Sequence, residues 1–228
     1  MQIEVLPDAA AVARQAAQLI AWGAQAEVLM RGRFVMAVSG GMTPWEMLRA
    51  LANENVPWPH VHIFQVDERV APAGHADRNL THLIDALSHA PIRPEQIHAM
   101  PVAASNLDAA AQQYAEELSA FAGSPPKLDL VHLGLGADGH TASLVPGDPV
   151  LDVMDRDVAI TGEYQGRRRM TLTYPLLNRA LRVLWVATGA AKASMLARLK
   201  SEDPTIPAGR VWQDNAIVIA DMAAANVA

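Results

Sequence analysis

His132 to Gly147 reads HLGLGADGHTASLVPG, and in it an apolar run breaks into three glycines, an aspartate and a histidine within seven residues. Val131 to Leu135 has the continuous apolar character of a short buried strand. Gly134, Gly136 and Gly139 are expected to release the backbone into conformations closed to residues with side chains. Asp138 and His140 then fall in the loop at the strand's carboxyl end, where open α/β sheets bind ligands. An aspartate two residues from a histidine can orient the imidazole and raise its basicity, which makes the pair a candidate acid/base couple.

The residues on either side repeat a strand-then-helix rhythm. Phe34 to Val38 reads as a strand that runs directly into Ser39-Gly40-Gly41-Met42-Thr43-Pro44-Trp45-Glu46. Thr43 as N-cap, Pro44 at the first helical position and Glu46 at the third predict a capping box. A glycine turn followed by a helix N-terminus presents backbone N–H groups to an anion, and Ser39 and Thr43 add hydroxyls. The same residues also suit an ordinary βα turn. Val61 to Val66 predicts another strand, ending in Asp67-Glu68-Arg69, and continued extension places Gln65, Asp67 and Arg69 on one face. A helix is expected from Arg78-Asn79 to about His89 and another from Asn106 to Phe121. In Arg167 to Thr173, alternation sets Arg169, Thr171 and Thr173 on one face and Met170 and Leu172 on the other. Leu181 to Ala187 is a further strand, followed by a helix from about Ala190 to Lys200. Lys192 sits in that helix's first turn, against the macrodipole, a placement better suited to gripping an anion than to stabilising the helix. Earlier, Asp8 caps a long helix reaching about Met30, with Val12, Ala16, Leu19, Ile20 and Trp22 to Ala24 as its apolar face. Ala216 to Ala220 closes the series.

The 228 residues hold 51% hydrophobic and 18% charged side chains, a globular composition expected to fold as one α/β domain over residues 1–228. A net charge of −6 argues against nucleic-acid or anionic-membrane partners, so an anionic substrate needs a locally assembled cationic pocket. Without cysteine there is no disulfide, thiolate metal site or cysteine nucleophile. The N-terminal residues carry no leader pattern, and the expected location is cytoplasmic. Gly134 to Gly139 literally matches G-x-G-x-x-G, but Asp138 projects a carboxylate where a pyrophosphate must approach. Neither Ser39 nor Ser143 lies in a G-x-S-x-G elbow, and no histidine-rich motif completes a metal site around Asp138 and His140.

Taken together, VSGGMTP (38–44), VDER (66–69), GLGADGHTASLVPG (134–147), RRRMTLTYPLLNRA (167–180) and VATGAAKASML (186–196) resemble, in order and spacing, the 6-phosphogluconolactonase family. That family lies within the wider glucosamine-6-phosphate isomerase/deaminase-like superfamily. The resemblance spans nearly the whole chain. It implies a Rossmann-like α/β domain with a central, mostly parallel sheet, and hydrolysis of a sugar-phosphate lactone without metal or organic cofactor. It also implies His140 as general base, Asp138 as its partner, and a phosphate pocket from Ser39, Gly40, Gly41, Thr43, Arg169 and Lys192. Asp67 is expected to accept a sugar hydroxyl and Arg69 or loop N–H groups to stabilise the oxyanion. Relatives often carry Ser-Asn where this chain has Arg78-Asn79, so Asn79 is kept as a binding candidate and the role of Arg78 is left open. In the deaminase branch a glutamate follows the histidine by five residues, and here that position is Val145. Two alternatives stand beside the lactonase: an amino-sugar-phosphate isomerase/deaminase, and a non-catalytic sugar-phosphate sensor. A monomer or homodimer is expected.

Overall fold

The computed structural model describes residues 1–226. Along the chain run β1 (Gln2–Leu6), α1 (Ala9–Arg31), β2 (Phe34–Val38), α2 (Met42–Leu51), β3 (Val61–Gln65), β4 (Asp67–Arg69), α3 (Asn79–Ala86) and β5 (Ile97–His98). Next come α4 (Leu107–Ala122), β6 (Leu130–Gly134), β7 (Val158–Ile160), β8 (Arg169–Leu172) and α5 (Tyr174–Arg179). The chain continues through β9 (Val183–Ala187), α6 (Ala193–Lys200), β10 (Ala216–Asp221) and α7 (Met222–Ala225).

Seven strands form one parallel sheet in the order β1-β10-β9-β6-β2-β3-β5, and β4, β8 and β7 form a small antiparallel sheet. A parallel sheet covered on both faces needs apolar residues in both directions, and β2 supplies them. Phe34, Met36 and Val38 pack with α1, α2 and α3, whereas Val35 and Ala37 pack with α4, α5, α6 and the small sheet. β9 does the same, with Leu184 and Val186 toward the first face and Val183, Trp185 and Ala187 toward the second. Each fully buried Val, Leu, Phe or Met side chain among them contributes roughly 1.5–3 kcal/mol.

The strand order reverses between β2 and β6: chain order runs outward through β3 and β5 on one side and through β9 and β10 on the other. Loops leaving β2 and β6 therefore diverge at their carboxyl ends and open a crevice, the switch point at which open α/β sheets bind ligands.

The cap of α2 is Gly41, not Thr43, and it makes no side-chain bond. Thr43 is already in the helix, its hydroxyl 2.7 Å from that of Thr188, and Glu46 pairs with Arg49, so no capping box forms. On α1 the buried stripe is Val12, Ala13, Ala16, Ala17, Ile20, Ala21 and Ala24, while Trp22 is 63% exposed. Small alanines allow α2 to pack closely there, and a tryptophan's bulk does not fit. Asp8 does cap α1, accepting from the Ala11 N–H at 2.7 Å. α3 ends at Ala86, three residues short of expectation, and Ala190 to Lys192 is a 3₁₀ turn that precedes α6. Strand β1, at the sheet edge beside β10, has no counterpart in the sequence reading. Its polar-apolar alternation, Gln2-Ile3-Glu4-Val5, covers only four residues, and three of the five residues of the strand are exposed.

Candidate active site

Gly134 ends β6, and the backbone then folds into a tight turn in which the Gly136 N–H donates to the His140 carbonyl (2.8 Å) and the Gly139 N–H to the Gly136 carbonyl (3.1 Å). Of the three glycines only Gly139 is left-handed, at φ 84°. Gly136 is required for a different reason: a Cβ there would lie 2.2 Å from His140 Nδ1 and 2.7 Å from Asp138 Oδ1. The imidazole and carboxylate are pressed against a bare backbone.

His140 Nδ1 is 2.5 Å from Asp138 Oδ1, and that same oxygen accepts the His140 backbone N–H at 3.1 Å. The other carboxylate oxygen, Oδ2, accepts the Tyr164 hydroxyl at 3.1 Å. Partial burial works to raise the Asp138 carboxyl, but the His140 N–H, the imidazole and the Tyr164 hydroxyl outweigh it and hold it below the usual range. An ionised carboxylate only accepts, so Nδ1 carries a proton, and in the neutral imidazole the free lone pair then lies on Nε2.

His140 lines a cavity of about 210 Å³ together with Ser39, Gly40, Asp67, Arg69, Asn79, Gly134 to Ala137, Ala142, Arg169 and Lys192. Three cations thus meet in a chain of net charge −6. Two of them are forced together by register. Arg69 on β4 stands directly opposite Arg169 on β8, and Asp67 opposite Thr171. Like charges directly opposed across an antiparallel pair are unfavourable unless an anion offsets them. Burial, and then the Arg69 charge, lower Arg169 from its ordinary value. Both guanidiniums bury an Nε–H that has no protein acceptor. The three cationic side chains that line the one cavity fit an anionic group such as a phosphate.

Gly40 lines the same cavity and has no room for a side chain: a Cβ there would sit 1.9 Å from Asn79 Oδ1. Asn79 donates to the Asp67 carbonyl (2.9 Å) and accepts from Arg69 (2.7 Å). Asp67 takes the Ser143 hydroxyl on Oδ2 at 2.7 Å, which ties β4 to the loop after β6. Ser39 donates its hydroxyl proton to the His132 carbonyl at 3.1 Å, across the crevice. Gly41 and Thr43, expected with the phosphate pocket, lie outside this lining; Thr43 faces a separate surface groove on α1 and α2. The common face expected for Gln65, Asp67 and Arg69 does not form. β3 stops at Gln65, whose amide turns to Glu68 (2.9 Å) and the Met100 N–H (2.9 Å), while β4 enters the other sheet. Thr173 likewise leaves the face of Arg169 and Thr171, donating instead to the Arg156 carbonyl.

Three further residues, none of them given a role by the sequence, support the site. Glu68, fully buried, accepts the N–H groups of Arg69 (2.7 Å), Asn79 (2.8 Å) and Leu80 (2.9 Å), and pairs with Arg78 at 3.0 Å. Arg78, whose role is open in the sequence, is thus a buried cation paired with Glu68. Ser143 and Tyr164 are the others, and each acts through a contact made far along the chain. A hairpin signal at Gln165-Gly166 could have placed Tyr164 at a loop tip, but nothing in sequence shows what it touches.

His132 has no exposed surface, and burial lowers its imidazole from 6.5 to about 3. Unfolding lets it protonate below 6.5, so its contribution is fully present above that pH and is lost as pH falls toward 3. The melting temperature should therefore fall between pH 6.5 and 5, with a gentler fall in His132→Gln. Equal slopes for the two proteins would rule out a buried neutral imidazole.

The model of the family described as glucosamine-6-phosphate isomerases/6-phosphogluconolactonase matches residues 7–219. The chain belongs to this family. It is 38% identical over 202 residues to a 6-phosphogluconolactonase of Nostoc sp., covering 86% of this chain and 84% of the relative. The solved 6-phosphogluconolactonase of Thermotoga maritima superposes with a TM-score of 0.85 at 26% identity, covering 96% of this chain and 98% of that one. A monomeric glucosamine-6-phosphate deaminase also superposes with a TM-score of 0.85, at 18% identity and full coverage of both chains. The fold is therefore common to both branches, and the site must separate them. Val145, at the position where the deaminase branch is expected to carry a glutamate, is a buried aliphatic residue of this family member.

Proposed function

We propose that this chain hydrolyses 6-phospho-D-glucono-1,5-lactone to 6-phosphogluconate, the second step of the oxidative pentose phosphate pathway. The observation that carries the reading is the meeting, in one cavity, of a carboxylate-oriented imidazole with Arg69, Arg169 and Lys192. A lactone is an activated ester, and its hydrolysis needs a base for water, a donor for the oxyanion and a proton for the departing ring oxygen.

His140 Nε2 removes a proton from water as its oxygen bonds to C1. The carbonyl electrons move onto oxygen, and we assign Arg69 to that charge because the Gly136 and Gly139 N–H groups already close the turn. Collapse of the adduct breaks the bond from C1 to the ring oxygen, which takes the proton back from His140. Asp138 holds the imidazolium in place throughout, and Asp67 and Asn79 accept or donate to sugar hydroxyls. Arg169 and Lys192 hold the phosphate. Nothing in this scheme supplies the further acid/base group that isomerisation with deamination needs, and Val145 is apolar.

Arg169→Ala and Lys192→Ala should each weaken substrate binding by roughly 1.5–3 kcal/mol, about 10- to 150-fold in KM, with a smaller change in kcat. Unchanged KM in both would place the phosphate elsewhere. The reading itself is tested by the rate on freshly generated lactone against the spontaneous background. Acceleration supports it; ammonia release from glucosamine 6-phosphate would favour the deaminase, and binding without turnover the sensor. We further read the chain as one cytoplasmic domain, monomeric or homodimeric, with no nucleic-acid partner. No helix among the described residues is long and apolar enough to cross a membrane.

A further inference from the structure

β7 and β8 are joined by a hairpin whose tip reaches Asp138 and Arg169. Its final turn is closed by Tyr164 and Arg167, whose N–H groups donate to each other's carbonyls at 3.0 and 3.3 Å. The two residues between them, Gln165 (φ 52°) and Gly166 (φ 76°), are both left-handed, the type I′ geometry that matches strand twist. This turn fixes where the Tyr164 side chain goes.

That side chain touches both halves of the site with different atoms. Its hydroxyl donates to Asp138 Oδ2 at 3.1 Å, while its ring lies under the Arg169 guanidinium, 4.9 Å from centroid to the central carbon. The ring also meets the His140 imidazole edge-on, with centroids 5.7 Å apart. Next to it, Gln165 accepts from Arg169 at 3.2 Å, and Arg167 anchors the tip to Asp77 at 2.6 Å. We propose that Tyr164 is a positioning residue that sets Asp138 through its hydroxyl and Arg169 through its ring, so that one hairpin tip aligns the base with the phosphate-side cation.

The physical reason lies in the Asp138 carboxylate. Oδ1 serves His140, and the side chain is 39% exposed, so without a partner on Oδ2 it is free to rotate toward solvent. Such rotation withdraws the acceptor that keeps the imidazole proton on Nδ1. Burial, and then the Asp138 carboxylate, raise the Tyr164 phenol above its ordinary value, so it stays a donor through neutral pH.

The proposal rests on the lactonase reading for its kinetic consequences but not for its structural ones, and two variants separate the contacts. Tyr164→Phe keeps the ring and removes the hydroxyl, and should lower kcat about tenfold, a part of the roughly 10²–10⁴-fold that general acid–base help supplies, with KM within about twofold. Tyr164→Leu removes both contacts and should lower kcat similarly while also raising KM several-fold. Because Tyr164 is at a hairpin tip, both variants should melt as the parent does. Nitrogen-15 chemical shifts of the His140 ring give a reading independent of turnover: the share of the Nε2–H tautomer should rise in Tyr164→Phe. Wild-type kcat and an unchanged tautomer in Tyr164→Phe would overturn the proposal, as would equal KM effects in the two variants. A tautomer shift in a protein that does not accelerate lactone hydrolysis would retain the positioning role and discard the lactonase reading.

Discussion

His140→Ala is expected to lower kcat by about 10²–10⁴-fold while leaving KM nearly unchanged, the range that general acid–base help supplies. The imidazole is the one group in the cavity with a free basic lone pair held in place by a carboxylate, through the 2.5 Å contact to Asp138. The cations of the cavity act on substrate charge and survive the substitution, which is why binding should persist. Steady-state kinetics on fresh lactone, corrected for spontaneous hydrolysis, check this. A variant with parental kcat would remove His140 from the chemistry.

Glu68→Ala should cost roughly 3–5 kcal/mol of stability, the usual cost of stranding one member of a buried ion pair. Arg78, only 5% exposed, would lose its countercharge. The N–H groups of Asn79 and Leu80 at the start of α3 would lose their acceptor as well. For a chain of this length the melting temperature should fall by about 6–20 °C. Glu68→Gln keeps an acceptor and the shape, and should fall less. Since Asn79 bridges Asp67 and Arg69, the surviving folded Glu68→Ala protein should also lose activity. A melting temperature within a degree or two of the parent's would show that the buried pair contributes little.

Much of the sheet was legible because buried parallel strands are short, continuous apolar runs: β2, β3, β6, β9 and β10 all come from such stretches. The edge strand β1 and the two-residue β5 lack that signal, since an edge position buries little and two residues define no period. The loop carrying Asp138 and His140 was legible for a similarly local reason, because the two residues are separated by one glycine and meet within a single turn. Thr43 does not cap because the helix begins two residues earlier, its first bond running from the Trp45 N–H to the Gly41 carbonyl, while the Thr43 hydroxyl meets that of Thr188 from across the fold.

By itself the sequence determined the alternation of strands and helices, the local Asp138-His140 couple and the absence of a glutamate at Val145. All three depend on side-chain type and on spacings of a few residues, which short-range geometry reads directly. Only the tertiary structure decided that Arg69 stands opposite Arg169, that Ser143 holds Asp67, and that Tyr164 reaches Asp138 from 26 residues away. Those pairings follow from the register of two sheets and the twist of one hairpin, which are set by how the whole core packs and leave no trace in any single stretch of the chain.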